Sequence, residues 1–369
     1  MEETRPFVPW DLMEKFIVDA FCGFGVPKED AIICADVLLE SDRRGIESHG
    51  CNRLKPIYLD RIDAKMQKPV TELEIVKEGP TTAVLDAHDG MGMIASYHAM
   101  EMALEKAKKY GMAMVTVRNS SHYGIAGYWA TMASKAGMIG ITGTNARPSI
   151  APTFGVENML GTNPITFAMP TDEDFPFVLD CATSISQRGK IEFYARSGKD
   201  TPMGMVIGHD GKVMTDSQQI LKDLSTGNAA LAPLGGIGEE LAGYKGYGYA
   251  TVVEILSAAL SQGAFLKALS GFDENHQKVP CHLGHFFIVI DPEAFMGLEA
   301  FKKTTGDILR DLRHSMKAPG HDRIYTAGEK EYLVWQYRKD KGVPVGEAVQ
   351  KEIIEIRDRL HLPYRFPFE

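Results

Sequence analysis

Apolar residues recur at nearly helical spacing at both ends of the chain. In residues 9–23 they fall at Leu12, Phe16, Ile17 and Ala20, and residues 29–39 continue the same pattern. Spacings of three and four positions place such side chains on one face of a helix, so we predict a helix in each segment. Residues 293–316 and 347–360 have the same amphipathic spacing, and we predict helices there as well.

The middle of the chain alternates short apolar runs with helical stretches. Strands are predicted at residues 81–87, 112–118, 138–144, 165–169, 176–179 and 285–290. Helices are predicted at residues 93–110, 125–136 and 249–260. Residues 196–240 are rich in Gly, Pro and Asp, which favours hairpins and long loops. The order strand, helix, strand in residues 112–144 indicates a βαβ unit and an α/β fold.

Two loops that follow predicted strands carry polar side chains. Residues 119–122 (Asn-Ser-Ser-His) follow one strand, and Asn145 and Arg147 follow another. Ligands of open α/β sheets bind in the crevice beyond the carboxyl ends of the strands. His122 is therefore a candidate catalytic residue, although a lone loop histidine is more often a surface or capping residue.

A second candidate group lies in the segment ESHGCNRL. Ser48 is predicted to be the N-cap of a helix, which would place His49 and Arg53 on one face near its start. An arginine there could hold a carboxylate through two parallel hydrogen bonds. The alternative is that Arg53 pairs with a nearby acid and His49 caps the helix. Pro56 would kink or delay this helix, so the sequence does not define the residue at which it begins.

Further candidates lie around Asp180 and Lys245. Asp180 ends a predicted strand and precedes Cys-Ala-Thr-Ser, so it could orient a histidine or hold a cofactor hydroxyl; an Asx or N-cap turn is the alternative. Lys245-Gly246 opens a predicted helix and suits a phosphate, without the P-loop spacing. The segment Gly90-Met-Gly-Met-Ile-Ala95 matches a dinucleotide fingerprint, yet no acidic residue for a ribose follows the next strand. A glycine turn is the favoured interpretation, and a conventional Rossmann site is the alternative.

Net charge, cysteine content and the length of the apolar stretches argue against several classes of protein. The chain has 369 residues with a net charge of -9, which argues against a nucleic-acid or anionic membrane surface. Its five scattered cysteines include no CxxC pair, so we expect neither a disulfide framework nor a zinc site, and no other metal site is predicted. The acidic N-terminal segment does not resemble a secretory signal, and no stretch approaches the length of a transmembrane helix. A cytoplasmic location is therefore expected.

The ordered segments ESHGCNRL, NSSHYGIAGYWA, APTFG with LGTNP, LDCATS, APLGG and YKGYG resemble the malate/L-lactate dehydrogenase family, type 2, over nearly the whole chain. The resemblance implies an α/β nicotinamide-binding domain of non-Rossmann type around a large mixed sheet. It also implies a helical domain built from the N-terminus and part of the C-terminus. The corresponding boundaries are residues 1–75 with about 300–369 for the helical domain, and 76–299 for the α/β domain. A homodimer with active sites near the interface is implied as well.

The same resemblance implies roles for individual residues. His122 and His49 fall at the reaction centre as alternative acid/base residues, with Asp180 in support, and Ser48 and Arg53 fall where substrate contacts are expected. The implied cofactor contacts are Asn145, Asp180, Cys181, Ala182, Thr183, Ser184, Lys245, Gly246, Gly328, Glu329 and Lys330. The chain departs from the family pattern at Cys51, at residues 186–188, and at residues 205–206, where a Trp is usual.

The implied reaction is reversible hydride transfer between NAD or NADP and a 2-hydroxy acid, with malate favoured over lactate. The alternative is reduction of a cyclic imine or a sugar diketoacid, or oxidation of ureidoglycolate or sulfolactate, on the same scaffold. The sequence does not separate NAD from NADP. A binding protein that retains the scaffold could dispense with His49, His122, Asp180 and Lys245, and all four are present.

Overall fold

A seven-stranded mixed sheet forms the centre of the computed structural model, which describes residues 4–369. The first three residues of the predicted domain 1–75 lie outside that range. The strands are β1 (Phe7–Val8), β2 (Glu74–Glu78), β3 (Thr82–Asp86), β4 (Met112–Ser120), β5 (Ile139–Thr144), β6 (Ile165–Met169), β7 (Phe177–Cys181), β8 (Val206–Gly208), β9 (Ala229–Leu231), β10 (Leu283–Ile290) and β11 (Val343–Pro344). The large sheet has the order β2-β3-β4-β10-β5-β6-β7. The predicted α/β class with a large mixed sheet is confirmed.

Strand directions determine which loops meet. β3 and β4 are parallel, whereas β10 is antiparallel to both β4 and β5, and β6 is antiparallel to both β5 and β7. It follows that β3, β4, β5 and β7 all point the same way. The predicted βαβ unit is present, but β10, from much later in the chain, lies between its two strands.

The helices are α1 (Trp10–Gly23), α2 (Lys28–Arg43), α3 (Asp60–Asp63), α4 (Gly92–Tyr110), α5 (Ala126–Lys135), α6 (Arg188–Arg196), α7 (Ser217–Thr226), α8 (Gly243–Ala258), α9 (Leu298–His314), α10 (Glu329–Arg338) and α11 (Glu347–Arg359). No helix of residues 4–369 is both long and apolar enough to cross a membrane.

Several predictions about local structure are wrong. The hairpins and loops expected in residues 196–240 include helix α7, which Asp216 caps by accepting hydrogen bonds from two backbone N–H groups. Ser48 is not the N-cap of an α-helix, because it lies inside a 3-10 turn, Glu47–His49. A second 3-10 turn and a π-helical turn, Leu54–Leu59, which contains Pro56, then lead into α3. His49 and Arg53 therefore lie on separate turns.

One hydrophobic core connects the two ends of the chain with the sheet. Phe16 and Leu38 of the N-terminal helices, Val115 of β4 and Ile353 of α11 belong to the same buried cluster. Strands β1 and β11 pair beside it. This core crosses the predicted boundary near residue 75 without a break, so the division into two domains stays a prediction. A second, smaller core joins α6, α7, α8, β8 and β9.

Candidate active site

The carboxyl ends of β4, β5 and β7 open at one edge of the sheet because these strands run in the same direction. The loop that contains His122 follows β4, Asn145 follows β5, and Thr183 and Ser184 follow β7. The segments that the sequence analysis singled out separately therefore lie along one edge, which is where open α/β sheets bind ligands.

His122 is held at its Nδ1 atom. The Tyr58 hydroxyl lies 2.7 Å from Nδ1, and the backbone N–H of Gly124 donates to the same nitrogen at 3.2 Å. Tyr58 is fully buried in the π-helical turn, whose extra residue per turn is a feature often found at functional sites. With Nδ1 occupied, Nε2 is the nitrogen left to exchange a proton with a substrate. Tyr58 is not among the site residues predicted from the sequence.

His49 stacks against His122. The ring centroids are 5.5 Å apart, and the rings are tilted by 20°. Ser48 Oγ lies 2.9 Å from His49 Nδ1, and Arg53 Nε donates to the carbonyl of Ser48. The terminal nitrogens of Arg53 have no hydrogen bond or ion pair with any other residue of the described chain. The structure therefore brings together both candidate acid/base residues and both predicted substrate contacts.

Burial and positive charge keep both imidazoles neutral. Burial, followed by the charge of Arg53, lowers the pKa of His49 to about 4. Burial lowers the pKa of His122 well below its ordinary value, and a proton on His49 and the charges of Arg61 and Arg53 would each lower it further. The positive charges of Arg53 and Arg61 make the space beside the two neutral rings attractive to an anion.

The turn that carries Ser48 and His49 is clamped on both sides. Arg5 donates two hydrogen bonds to the Glu47 carboxylate, which also pairs with Arg338 of α10. On the far side, the buried Asp42 carboxylate accepts the backbone N–H of Cys51 at 2.9 Å. Charge-assisted contacts of this kind, here partly buried, hold a turn in one conformation.

The glycine motif at residues 90–95 packs against the loop that contains His122. Ser121 Oγ accepts the N–H of Gly92 at 2.9 Å and donates to the carbonyl of Gly90 at 3.0 Å. A Cβ atom on Gly92 would lie 2.1 Å from the Ser121 carbonyl oxygen and 2.7 Å from that of His122. The favoured interpretation of a glycine turn thus agrees with the structure, and the close approach is to this loop.

Asp180 lies within β7 and its carboxylate is directed toward α5. It accepts the backbone N–H of Gly127, in the first turn of that helix, at 2.7 Å and the hydroxyl of Thr166 at 3.0 Å. Neither hydrogen-bond partner is a histidine, so this geometry gives no support to a role in orienting His49 or His122. The carboxylate instead caps α5 from a distant strand, a contact that differs from both the predicted role and the local Asx or N-cap turn given as its alternative.

Asn145 is also engaged by the protein itself. Its side chain donates to the carbonyl of Ala264 and accepts the N–H of Gly284, and it is fully buried. The amide therefore fastens β10 to the end of β5. The backbone N–H of Asn145 also donates to the Gly284 carbonyl, at 3.2 Å, and its carbonyl accepts from Thr144, so the predicted cofactor contact stays a prediction.

The segments that contain Ser184 and Lys245 are linked through Leu234. Leu234 donates its N–H to the Thr183 carbonyl, and Gly246 packs so closely on Leu234 that a Cβ would lie 2.2 Å from its carbonyl oxygen. Lys245 lies in the first turn of the sixteen-residue helix α8. The buried hydroxyl of Ser184 has no hydrogen-bond partner among the described residues. An unsatisfied buried hydroxyl beside a helix N-terminus fits a ligand that carries phosphate and hydroxyl groups.

Gly328 and Lys330 border a cavity of about 920 Å³, which Asp180, Arg44 and Tyr332 also line. Gly328 has a φ of +90° and precedes α10. The side chain of Glu329 is buried and pairs with Arg323, so it faces the protein. Of the three predicted residues in this turn, Gly328 and Lys330 are the two that face the open space. Within the described range, no group of three or more His, Cys, Asp or Glu side chains is arranged to hold a metal ion.

The comparisons with known proteins identify the family of the chain. The family model described as malate/L-lactate dehydrogenase matches residues 8–354. The chain belongs to this family. It is 44% identical over 360 residues to malate dehydrogenase of Pyrococcus horikoshii, covering 98% of this chain and 97% of that protein. It is 38% identical to L-sulfolactate dehydrogenase of Methanocaldococcus jannaschii, covering 95% of this chain and 96% of that protein.

A solved structure from the same family superposes closely. The crystal structure of malate dehydrogenase from Entamoeba histolytica matches with a TM-score of 0.94 at 43% identity, covering 98% of this chain and all of that one. The family resemblance inferred from the ordered segments is thereby confirmed. The malate/L-lactate dehydrogenase fold also accounts for the mixed sheet in place of a Rossmann domain.

Proposed function

We propose that this chain catalyses reversible hydride transfer between a nicotinamide dinucleotide and C2 of a 2-hydroxy dicarboxylic acid, with (S)-malate and oxaloacetate as the pair. The observation that carries the proposal is the stacked pair His49 and His122 beside Arg53, at the carboxyl edge of the sheet. The 44% identity to a malate dehydrogenase supports the choice of substrate.

The histidines supply the proton transfer. In the direction of oxidation, a neutral imidazole accepts the hydroxyl proton of the substrate as the hydride leaves C2. For His122, the tautomer that accepts this proton at Nε2 carries its own hydrogen on Nδ1 and donates it to the Tyr58 hydroxyl, which replaces the contact with the Gly124 N–H. Binding of an anionic substrate raises the low pKa of the ring, which keeps the proton on it until the reverse reaction.

Arg53 orients the substrate. Its terminal nitrogens are free to form two parallel hydrogen bonds with the 2-carboxylate, which fixes C2 relative to the histidines. Ser48, whose side chain is exposed beside His49, contributes a hydroxyl to the same site. The positive charge of Arg61, which also acts on His122, favours a substrate with a second anionic group.

The residues along the sheet edge fit a nicotinamide dinucleotide. When bound, this cofactor accepts or donates the hydride at C4 of its ring. Lys245 and the N-terminus of α8 would hold a phosphate, and the unsatisfied hydroxyl of Ser184 would bond a polar group of the cofactor. Gly328 and Lys330 border a cavity that Asp180 also lines, and we propose that it holds another part of the cofactor. NAD and NADP both remain to be tested.

We further propose a homodimer in the cytoplasm. The outer face of α8 leaves Tyr249, Val252 and Ile255 exposed by 58%, 46% and 53%, and Phe265 beside it by 60%. Several large apolar side chains exposed on one face are typical of an interface between subunits. All five cysteines are free thiols, as is usual in a reducing compartment.

Oxidation of NADH, followed by absorbance, tests the proposed function. Oxaloacetate, pyruvate, 3-sulfopyruvate and a cyclic imine are compared, and the series is repeated with NADPH. We expect oxaloacetate to give the highest kcat/KM. Preference for 3-sulfopyruvate would favour the second candidate, a sulfolactate dehydrogenase, which the 38% identical relative supports. Turnover of none of the four would reject both assignments.

A further inference from the structure

His285 is a fully buried polar residue at the start of an otherwise apolar strand. It lies in β10, followed by the apolar residues Phe286–Ile290, and has no exposed surface. Its Nδ1 lies 2.7 Å from Thr144 Oγ1 and its Nε2 lies 2.8 Å from Ser120 Oγ. Thr144 ends β5 and Ser120 ends β4, so the imidazole joins the two parallel strands at their carboxyl ends.

The neighbouring hydrogen bonds determine the tautomer of His285. The Thr144 hydroxyl shares its one proton between the carbonyls of Asn145 and Gly284, at 2.8 and 3.0 Å. With its proton directed at these carbonyls, the hydroxyl accepts from His285, which places a hydrogen on Nδ1. Nε2 is then an acceptor for the Ser120 hydroxyl. Burial lowers the pKa of His285 to about 3, so the ring stays neutral and this direction of bonding is fixed.

The contacts of His285 lead directly to His122. Ser120 is two residues before His122, and Tyr123, one residue after it, stacks on the His285 ring with centroids 4.6 Å apart and a tilt of 16°. The loop is therefore held by the same imidazole on both sides of His122. Strand β10 has a register shift between Leu283 and His285, a type of irregularity that redirects side chains next to active sites.

We propose that His285 is a positioning residue for His122: it bonds Ser120 and stacks on Tyr123 so that the His122 ring faces the substrate. Packing alone does not account for a histidine here. A buried imidazole is costly unless both nitrogens are satisfied, whereas an apolar residue would fill the same strand position without that cost. The catalytic part of this proposal rests on the proposed function.

Single substitutions of the two hydroxyl partners test the proposal. Ser120→Ala and Thr144→Val each remove one hydrogen bond of His285. Thr142→Val is the matched control, because the Thr142 hydroxyl is equally buried and bonds the same strand, at the carbonyl of Phe286. We expect kcat for oxaloacetate reduction to fall by about 10-fold to 10²-fold in the two test variants, as for a misplaced catalytic group. KM for the dinucleotide should not change.

Substitution of His285 itself gives a graded series. His285→Leu removes both hydrogen bonds and should lower kcat most. His285→Gln retains one donor and one acceptor and should recover part of the loss. If His285→Leu does not fold, the comparison of Ser120→Ala and Thr144→Val with Thr142→Val still decides the question. Values of kcat for those two variants within about twofold of the control would overturn the proposal.

Nuclear magnetic resonance of isotope-labelled histidines provides a readout that needs no substrate. The His285 signals, identified by their loss in His285→Gln, should show a proton on Nδ1 at every pH from about 5 to 9. The His122 signals should shift in Ser120→Ala and stay in place in Thr142→Val. A His122 ring that does not respond would contradict the positioning role. If the unmodified protein shows no turnover, the proposed function is rejected. The His122 signals of Ser120→Ala and Thr142→Val would still test whether His285 positions His122.

Discussion

His49 and His122 lie face to face, with their ring centroids 5.5 Å apart, although 73 positions separate them in the sequence. Two imidazolium rings at this distance would repel each other strongly in a buried site, so the pair can carry one proton at a time. Protonation of one ring therefore lowers the pKa of the other.

Replacing each histidine separately identifies the ring that exchanges the proton. We expect His122→Asn to lower kcat for oxaloacetate reduction by about 10² to 10⁴-fold, because Tyr58 and Gly124 hold this ring in one orientation. His49→Asn should cause a smaller loss, mainly by changing the pKa of its neighbour. Steady-state kinetics and circular dichroism of both variants are the measurements. Wild-type kcat in His122→Asn would transfer the role to His49.

The free energy of unfolding should decrease as the pH is lowered from about 6.5 to about 4. In this range His49 is neutral in the folded chain and protonated in the unfolded chain. The pKa of His49 is about 4 in the folded chain, against an ordinary value of 6.5 for a histidine in water. Between these values the unfolded chain binds more protons, so the free energy of unfolding decreases as the pH falls. Thermal unfolding at pH 6.5 and at pH 5 measures the effect. His49→Asn should show a smaller drop in Tm between the two pH values than the unmodified chain, and an equal drop would contradict this account.

Arg53→Lys should raise KM for oxaloacetate by about 10- to 10²-fold, since a lysine cannot form the bidentate contact with a carboxylate. The dissociation constant of the dinucleotide should remain unchanged in fluorescence titration. Arg196→Lys serves as the control, because Arg196 is 77% exposed on α6. An unaltered KM in Arg53→Lys would remove this residue from the substrate site.

Gly92→Ala should impair catalysis through the backbone of the His122 loop. The new methyl group would lie 2.1 Å from the carbonyl oxygen of Ser121, which cannot move without shifting His122. We expect destabilisation of about 1–3 kcal/mol from overpacking and a fall in kcat. Gly189→Ala is the matched control, because no atom lies within 4 Å of the added carbon there. Urea unfolding and kcat are measured for both; equal values in the two variants would show that the close approach is not critical.

The apolar face of α8 predicts the effect of a charge on assembly. Ile255→Glu places a carboxylate on a side chain that is 53% exposed in one subunit and would be buried in a dimer. An unpaired charge in an interface strongly disfavours association, so sedimentation velocity should show a monomer for this variant and a dimer for the original chain. Glu299→Lys, at an exposed position on α9, tests whether any change of surface charge has the same effect. A monomeric original chain would contradict the predicted homodimer.

Periodicity predicted most of the regular structure because burial on one face leaves a direct mark on the sequence. Helices α1 and α2, strands β4, β5 and β6, and Gly111 at the end of α4 lie where the apolar spacing places them. Helix α7 was missed because glycine and aspartate surround it. Its own signals were Asp216 at the N-cap and Gly227, with a φ of +79°, at the C-terminal end.

The site was predicted less completely because its contacts join distant parts of the chain. His122, His49 and Arg53 stood out through their chemistry. Tyr58 did not, since nothing local indicates that its hydroxyl lies against a histidine 64 positions later. His285 offered a weak signal, a polar residue in a strand that is apolar throughout, and its partner Ser120 is 165 positions away. Such pairings follow from the position of β10 between β4 and β5, which no single segment encodes.

The two arginines that pair with Glu47 are synthesised at very different times. Glu47 and the turn beside it leave the ribosome early, whereas Arg338, which grips the same carboxylate, follows 291 residues later. Strand β11, which pairs with β1 at the opposite end of the chain, comes later still. A nascent chain thus contains His49, Arg53 and His122 long before all of their supporting contacts can form. We expect the turn that carries Ser48 and His49 to reach its final conformation only after α10 and β11 have been added.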